Sequence, residues 1–345
     1  MTPTQRPRSK TLWVREPYLT QIREGRKQVE VRVGYDNIRR LRPGDHLLLN
    51  DQQRVIIRRV SHYPDFQTML THEDPKQIAP DTEPEQLLPA IQEIYPPEKE
   101  ALGAVALELS LARYQAVLFD MGYTLIHFEP AQTLIAQEAL RAAGAERSVA
   151  EIEAAVQKVW GTYYRDAATV TFPATEAHDR QAEKDLKRRL LTALGVEADE
   201  RTLQTYTTAI ETAFSQDDVI RPYPEVEEVL TSLEALGYRL GIISNWSWDL
   251  RDRVRQAGLD TYFEIVWASA YAGCNKPHPD IFQQALAQLN LAPAQALYVG
   301  DRYDHDVVGA RNAGVDAALL DRDGTAPDVD SPVISDLWGV FQLLK

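Results

Sequence analysis

Tyr114-Gln115-Ala116-Val117-Leu118-Phe119-Asp120-Met121-Gly122-Tyr123-Thr124-Leu125 decides how this chain of 345 residues is read. Ala116 to Phe119 is a short, wholly apolar run that breaks off at an acid. Such a run fits a strand buried on both faces, as in a parallel sheet covered by helices. Further runs downstream have the same form. Tyr238–Ile243 stops at Ser244 and Asn245, Glu264–Ala268 leads to a loop holding Lys276 and Pro277, and Leu297–Val299 stops at Gly300 and Asp301. Asp306 follows five residues later, and Val315–Leu320 is a further strand. Helical patterns lie between them, which predicts an α/β fold with a parallel, Rossmann-like sheet. In such sheets ligands bind at the carboxyl ends of the strands. Asp120, Ser244, Lys276 and Asp301 are therefore expected to meet in one crevice.

Three carboxylates, Asp120, Asp301 and Asp306, would repel one another there unless a cation joins them. Carboxylates with water and phosphate suit Mg2+. A lysine and hydroxyls beside them suit a phosphoryl group. Between the first strand and Pro222, residues 131–215 show helical spacing almost throughout, as in Ile152, Val156 and Val159.

The stretches FDMGYTL, IISN, NKPHPDIF and VGDRYDHD, in this order, resemble the four motifs of the haloacid dehalogenase (HAD) superfamily. The resemblance covers residues 114–345, and the helical block 131–215 sits where that family carries an α-helical cap. It implies a phosphatase in which Asp120 is the nucleophile that forms an aspartyl-phosphate. Asp301 and the carbonyl of Gly122 would hold Mg2+, and Asp306 would steady the metal's water shell. Thr124 and Ser244 would bind phosphoryl oxygens with the Asn245 backbone, and Lys276 would offset the charge of nucleophile and phosphate. One position departs from the family. Its phosphatases carry a second aspartate two residues after the nucleophile, as acid and then base, and here that position is Gly122. Loss of a general acid typically costs about 10² to 10⁴ in rate. His127 is one candidate substitute and Tyr123 a weaker one. The dehalogenase branch fits less well, because it dispenses with metal and with the aspartate-rich fourth motif. A receiver-like phospho-acceptor shares the Asp, Ser/Thr and Lys logic but has no room for the helical insertion. Asp306 could alternatively cap the helix Val307–Ala313. Trp160, Tyr163, Tyr164 and Phe172 in the cap, with Trp246 and Trp248 after the second motif, are either core or a stacking surface for a base or sugar.

The first third of the chain reads as a small α+β domain. Leu12–Val14 reads as a strand, Glu16–Glu24 as a helix closed by Gly25, and Gln28–Val33 as an alternating strand with its three valines on one face. Residues 64–100 are polar and Pro-rich, and Ala104–Leu109 is a closing strand. Gly25-Arg26-Lys27-Gln28-Val29-Glu30-Val31-Arg32 follows the pattern GxKxxExR and resembles the signature of the ASCH domain, a small β-barrel related to the PUA fold. The resemblance covers residues 10–110. It implies a cleft lined by Lys27, Glu30 and Arg32 and a ligand that is RNA or a nucleotide. Members that hydrolyse a modified cytidine carry threonine where this chain has Glu30, which argues against that chemistry. Alternatively Glu30 and Arg32 are a paired couple on an exposed sheet face. The expected domains are residues 1–112 and 113–345.

Charge and composition bound these readings. Lys and Arg outnumber Asp and Glu by 14 to 6 over residues 1–60, yet the whole chain carries −14. An acidic body disfavours non-specific nucleic-acid binding, so only the basic N-terminal stretch could face a nucleic acid. One cysteine, Cys274, excludes an intrachain disulfide and a cysteine zinc cluster. No apolar run is long enough for a membrane span, and MTPTQRPRSK has no apolar signal core. A reducing cytoplasm is the expected setting. The oligomeric state is not readable. Two functions remain: a Mg2+-dependent phosphatase of a small phosphorylated metabolite or nucleotide, or a catalytically weakened fold that binds RNA or a nucleotide.

Overall fold

The computed structural model describes residues 8–165, 167–216 and 218–344. The leading MTPTQRP, read above for a signal, lies outside them. The described chain divides into two compact units: the first runs to Arg113 and includes Ala235–Gly237 and the residues from Phe341 on, and the second is Tyr114–Glu234 with Tyr238–Val340.

The first unit is a curled sheet of β1 (Ser9–Leu12), β2 (Val29–Val33), β3 (His46–Leu49), β4 (Gln53–Tyr63) and β5 (Ala104–Leu111), in the order β1-β3-β4-β5-β2. β1 and β3 run parallel and the other pairs antiparallel. The register between β4 and β5 shifts between Ile57 and Arg59. A bulge there bends the strand and tightens its twist, so one long strand can serve both β3 and β5. Apolar side chains fill both faces. Leu19, Leu47, Ile57 and Leu107 pack on one, and Val29, Val33, Phe66 and Met69 on the other. The first strand lies earlier than its apolar residues suggest. The side-chain amide of Asn50 accepts from the Val14 backbone N–H at 2.8 Å and donates to the Val14 carbonyl at 2.9 Å. The backbone of Val14 is thereby taken out of the ladder, and Trp13 is left 67% exposed. Residues 64–100 form four short helices, of which Pro84–Ile94 is the longest.

The second unit holds a six-stranded parallel sheet of β6 (Ala116–Phe119), β9 (Arg239–Ser244), β10 (Ile265–Ala268), β11 (Ala296–Gly300), β12 (Asp316–Leu320) and β13 (Val333–Ile334), ordered β10-β9-β6-β11-β12-β13. β7 (Ile126–Phe128) and β8 (Ile220–Pro222) form a separate antiparallel ribbon, with Phe128 opposite Ile220. The helical insertion opens and closes at this ribbon. Its four helices are Gln132–Ala142, Val149–Tyr163, Glu176–Ala193 and Glu200–Phe214. Their starts are fixed locally. Ser148 and Glu151 form a reciprocal capping box, and Thr175 and Asp199 accept from the backbone N–H three residues on. Leu140, Ile152, Leu191 and Leu203 make the core between these helices.

Candidate active site

The site forms where β9, β6 and β11 end side by side. The Asp120 backbone N–H donates to the Val299 carbonyl at 2.9 Å, which carries the ladder one residue past β6 and fixes the acid at the strand tip. The Ser244 hydroxyl, the last residue of β9, donates to Asp120 Oδ1 at 2.8 Å. Lys276 Nζ donates to that same oxygen at 2.6 Å, to Asp306 Oδ1 at 2.6 Å and to the Tyr298 hydroxyl at 2.9 Å. All three ammonium protons are thus engaged. The Tyr298 hydroxyl reaches the Ile243 carbonyl at 2.7 Å and Asp306 Oδ1 at 3.1 Å. Tyr298 was not singled out in the sequence, where it reads as one more apolar strand residue.

Asp120, Asp301 and Asp306 each bring an oxygen within 4.8 Å of the others. Burial raises the Asp120 carboxyl, and Lys276 only partly offsets it. Asp301 is pushed up to about 8, first by burial and then by the charges of Asp120 and Asp306. Burial alone would lower the Lys276 ammonium, but Asp120 and Asp306 outweigh it and hold the group above its ordinary value. Three carboxylates facing one ammonium leave an excess of negative charge, which suits a divalent cation. Asp306 is not a helix cap. It lies within a π-helical turn over Tyr303–Val307, and its Oδ2 accepts from the Arg302 backbone N–H at 2.8 Å. Gly300 makes room for it, since a Cβ there would fall 2.3 Å from Asp306 Cγ.

The supporting residues hold the loops. The Asn245 side chain accepts from the Lys276 backbone N–H at 2.6 Å and donates to its carbonyl at 3.1 Å, so it orients the lysine through the backbone. Thr124 is fully buried, with its hydroxyl 3.4 Å from Asp301 Oδ1. Arg322 donates to the Thr124 carbonyl at 2.8 Å, pairs with Glu225 at 2.7 Å and stacks on Tyr223 with its guanidinium carbon 3.6 Å from the ring centroid.

A cavity of about 1090 Å³ opens above Asp120, Lys276 and Asp301 and extends among the cap helices. Trp160, Tyr164 and Trp246 line it. The other aromatic residues noted above are used in packing: Tyr163 meets Tyr164 edge-on, Phe172 stacks on His178, and Trp248 packs against Tyr271. Tyr123 lines the cavity, but its hydroxyl is turned to Gln132 at 3.1 Å. His127 sits on the ribbon with its ring 5.0 Å from that of Tyr223 and is not among the described residues that line the cavity. The cap is fastened to the loops of the sheet. Ser247 donates to Glu183 at 2.6 Å, the Trp248 N–H to Asp179 at 2.8 Å, and the Phe172 N–H to the Gly273 carbonyl at 2.8 Å. Thr171 bridges Cys274, and Cys274 is a buried loop residue whose thiol burial pushes up to about 11.

In the first unit, Lys27, Glu30 and Arg32 lie together on a cavity of about 120 Å³ with Trp13, Tyr18 and Tyr95. Lys27 is buried, donating to the Val29 and Ile78 carbonyls at 2.7 Å each and standing 3.2 Å from Glu30. Arg32 pairs with Glu30 at 2.9 Å and donates to the Trp13 carbonyl at 2.7 Å. Its Nε is buried without a hydrogen-bond partner. Glu30 itself is buried, so the second face of β2 is a covered cleft floor and not a solvated face.

Among the described residues no helix is long and apolar enough to cross a membrane. Residues 114–314 match the family model for haloacid dehalogenase-like hydrolases, and residues 12–113 that for the ASCH domain. The chain is 33% identical over 138 residues to a glyceraldehyde 3-phosphate phosphatase of Methanothermobacter thermautotrophicus, a match covering 36% of this chain and 60% of that protein. It is 30% identical over 231 residues to a phosphoserine phosphatase of Thermus thermophilus, covering 61% of this chain and 90% of the relative. The fold is shared with the magnesium-bound HAD-hydrolase YfnB of Bacillus subtilis, at TM-score 0.55 and 20% identity over 67% of this chain and 99% of the other.

Proposed function

The chain belongs to the haloacid dehalogenase-like hydrolase family, and on that premise we propose that it is a phosphohydrolase that works through an aspartyl-phosphate on Asp120. The observation that carries this reading is the sharing of Asp120 Oδ1 between the Ser244 hydroxyl and Lys276 Nζ. Those two bonds hold one carboxylate oxygen and leave the other to attack phosphorus. The new bond joins that oxygen to phosphorus while the ester P–O bond breaks toward the leaving group. Water then adds to the phosphorus of the aspartyl-phosphate, releasing phosphate and restoring the carboxylate. Lys276 offsets charge on the transferred group, and the Ser244 and Thr124 hydroxyls with the Asn245 backbone bind its oxygens. The donor set fits Mg2+, with Asp120, Asp301 and the Gly122 carbonyl as ligands and Asp306 steadying its water shell. Bound there, the ion would neutralise phosphoryl charge. The test is p-nitrophenyl phosphate turnover with Mg2+, wild type against Asp120→Asn. A loss of at least a thousandfold is expected, and equal rates reject Asp120 as the nucleophile.

A second reading concerns residues 12–113. The unpartnered Nε of Arg32 favours a small planar ligand with an acceptor, such as a nucleobase or a single nucleotide. At the roughly 30 Å³ that a water occupies, the cavity holds about one ring. Arg32→Ala should weaken nucleotide or single-stranded RNA binding in titration. Unchanged binding by that variant removes this cleft as the ligand site. Tight RNA binding without any phosphate turnover would instead favour a worn catalytic site in a binding protein.

A further inference from the structure

We propose that the substrate is an aryl phosphomonoester, a phosphate on an aromatic hydroxyl whose ring system is bulky and apolar. The inference rests on the phosphohydrolase reading and deepens it, and two independent observations carry it.

The first is the cavity. At about 1090 Å³ it lies at the upper end of pockets that enclose drug-sized ligands, about 300–1,000 Å³. A phosphate with a three-carbon body would leave most of it unfilled. Asp120, Lys276 and Asp301 line it where the strands end, and the cap helices add the polar groups Glu153, Gln157 and Lys187. The cap's share of the lining is nonetheless mostly apolar, with Ile152, Val156, Leu190, Tyr206, Ile210 and Phe214 from three of its helices. Such a lining returns more to a bulky apolar body than to a small polyol, which has little apolar surface to bury. Trp160, Tyr164 and Trp246 add aromatic faces to the same lining.

The second observation is chemical. Gly122 puts no proton donor at the position two residues beyond the nucleophile, so the leaving oxygen departs with little help from that quarter. An alkanol is about as weak an acid as water, with a pKa about 15.7, whereas a phenol ionises near about 10. Phenolate can leave unprotonated and take its proton from solvent afterwards. The same substrate class therefore satisfies both the walls and the missing acid.

The experiment compares kcat/KM, with Mg2+, for acetyl phosphate, phenyl phosphate, 4-biphenylyl phosphate, hexyl phosphate and glyceraldehyde 3-phosphate. Burying one more ring the size of a phenylalanine side chain should raise kcat/KM from phenyl to biphenylyl by roughly tenfold to a hundredfold. Hexyl phosphate should bind yet turn over slowly. Val156→Trp and, separately, Ile210→Trp should remove the biphenylyl preference while leaving acetyl phosphate turnover within about twofold. Binding is read in parallel on Asp120→Asn by tryptophan fluorescence with ethyl-, phenyl- and biphenylylphosphonate, so ring dependence is measured whether or not turnover occurs. Biphenylyl no better than phenyl in rate and binding, or glyceraldehyde 3-phosphate as the best substrate, overturns the proposal. Failure to hydrolyse even acetyl phosphate overturns the phosphohydrolase reading, and the phosphonate series then decides the ring preference alone.

Discussion

Magnesium uptake should be coupled to loss of a proton from Asp301. Its carboxyl is pushed up to about 8 by burial and by the charges of Asp120 and Asp306, so metal-free protein at neutral pH holds it largely protonated. A protonated oxygen does not bind the ion. Two pH units below that value only about one molecule in a hundred has Asp301 ionised, which corresponds to about 2.7 kcal/mol. Apparent Mg2+ affinity should therefore be about a hundredfold weaker at pH 6 than above pH 9. Asp120, also raised, makes the dependence steeper. Isothermal titration in two buffers of different ionisation enthalpy counts the protons released. About one is expected near pH 6 to 7, falling to none above pH 9, and Asp301→Asn should abolish both the release and most of the affinity. Linkage gives an independent check. The folded carboxyl ionises at higher pH than the unfolded one, near about 3.9, so its contribution to stability is full below that value and is lost as pH rises through about 8. Metal-free protein should thus lose Tm between pH 6 and 8.5, and saturating Mg2+ should cancel the loss. Affinity that stays flat across that range, with no proton released, would refute the reasoning.

Restoring an acid at position 122 is sterically open, because a Cβ on Gly122 would meet Trp246 Cζ3 at an ordinary 3.5 Å. Gly122→Asp should raise kcat for hexyl phosphate by up to about 10²-fold and leave acetyl phosphate, whose leaving group needs no proton, nearly unchanged. Lys276→Met strands Asp120 and Asp306 as buried, unpaired carboxylates. Denaturant unfolding should show a loss of about 3–5 kcal/mol, part of which Mg2+ restores. Gly300→Ala forces Asp306 aside, since the new Cβ would lie 2.3 Å from its Cγ. It should cost about 1–3 kcal/mol of stability and weaken Mg2+ binding in the same titration.

The strand tips were legible because a strand buried on both faces must be apolar throughout, so the first polar residue after it marks where the sheet stops. Asp120, Ser244 and Asp301 all carry that mark. Tyr298 does not. It sits inside β11 among apolar neighbours, and only the need of a buried phenol for a partner hints that its hydroxyl reaches the lysine. The burial of Glu30 was equally hidden, because strand alternation separates two faces without saying what covers the second. The ribbon of β7 and β8 left no local trace. Three residues pair with three others across the whole cap, and neither segment is long enough to show a period. Asp306 followed by Val307 looks like a cap and a helix start, yet the π-helical turn places the acid inside the turn with both its oxygens already engaged.

The pairing of Phe128 with Ile220 has an evolutionary corollary. Residues 129–219 depart and return across one rung of a ladder, where partner Cα atoms lie about 5 Å apart. A hairpin turn could close that gap, so the whole insertion is exchangeable as a cassette without disturbing the lysine–carboxylate cluster. Recombination at this rung would retune what the enzyme accepts in a single event. A graft would also have to replace the fastenings of the present cap to the Ser247–Trp248 loop, to Gly273, and to Arg253 and Gln256, which donate to the Phe214 and Gln216 carbonyls.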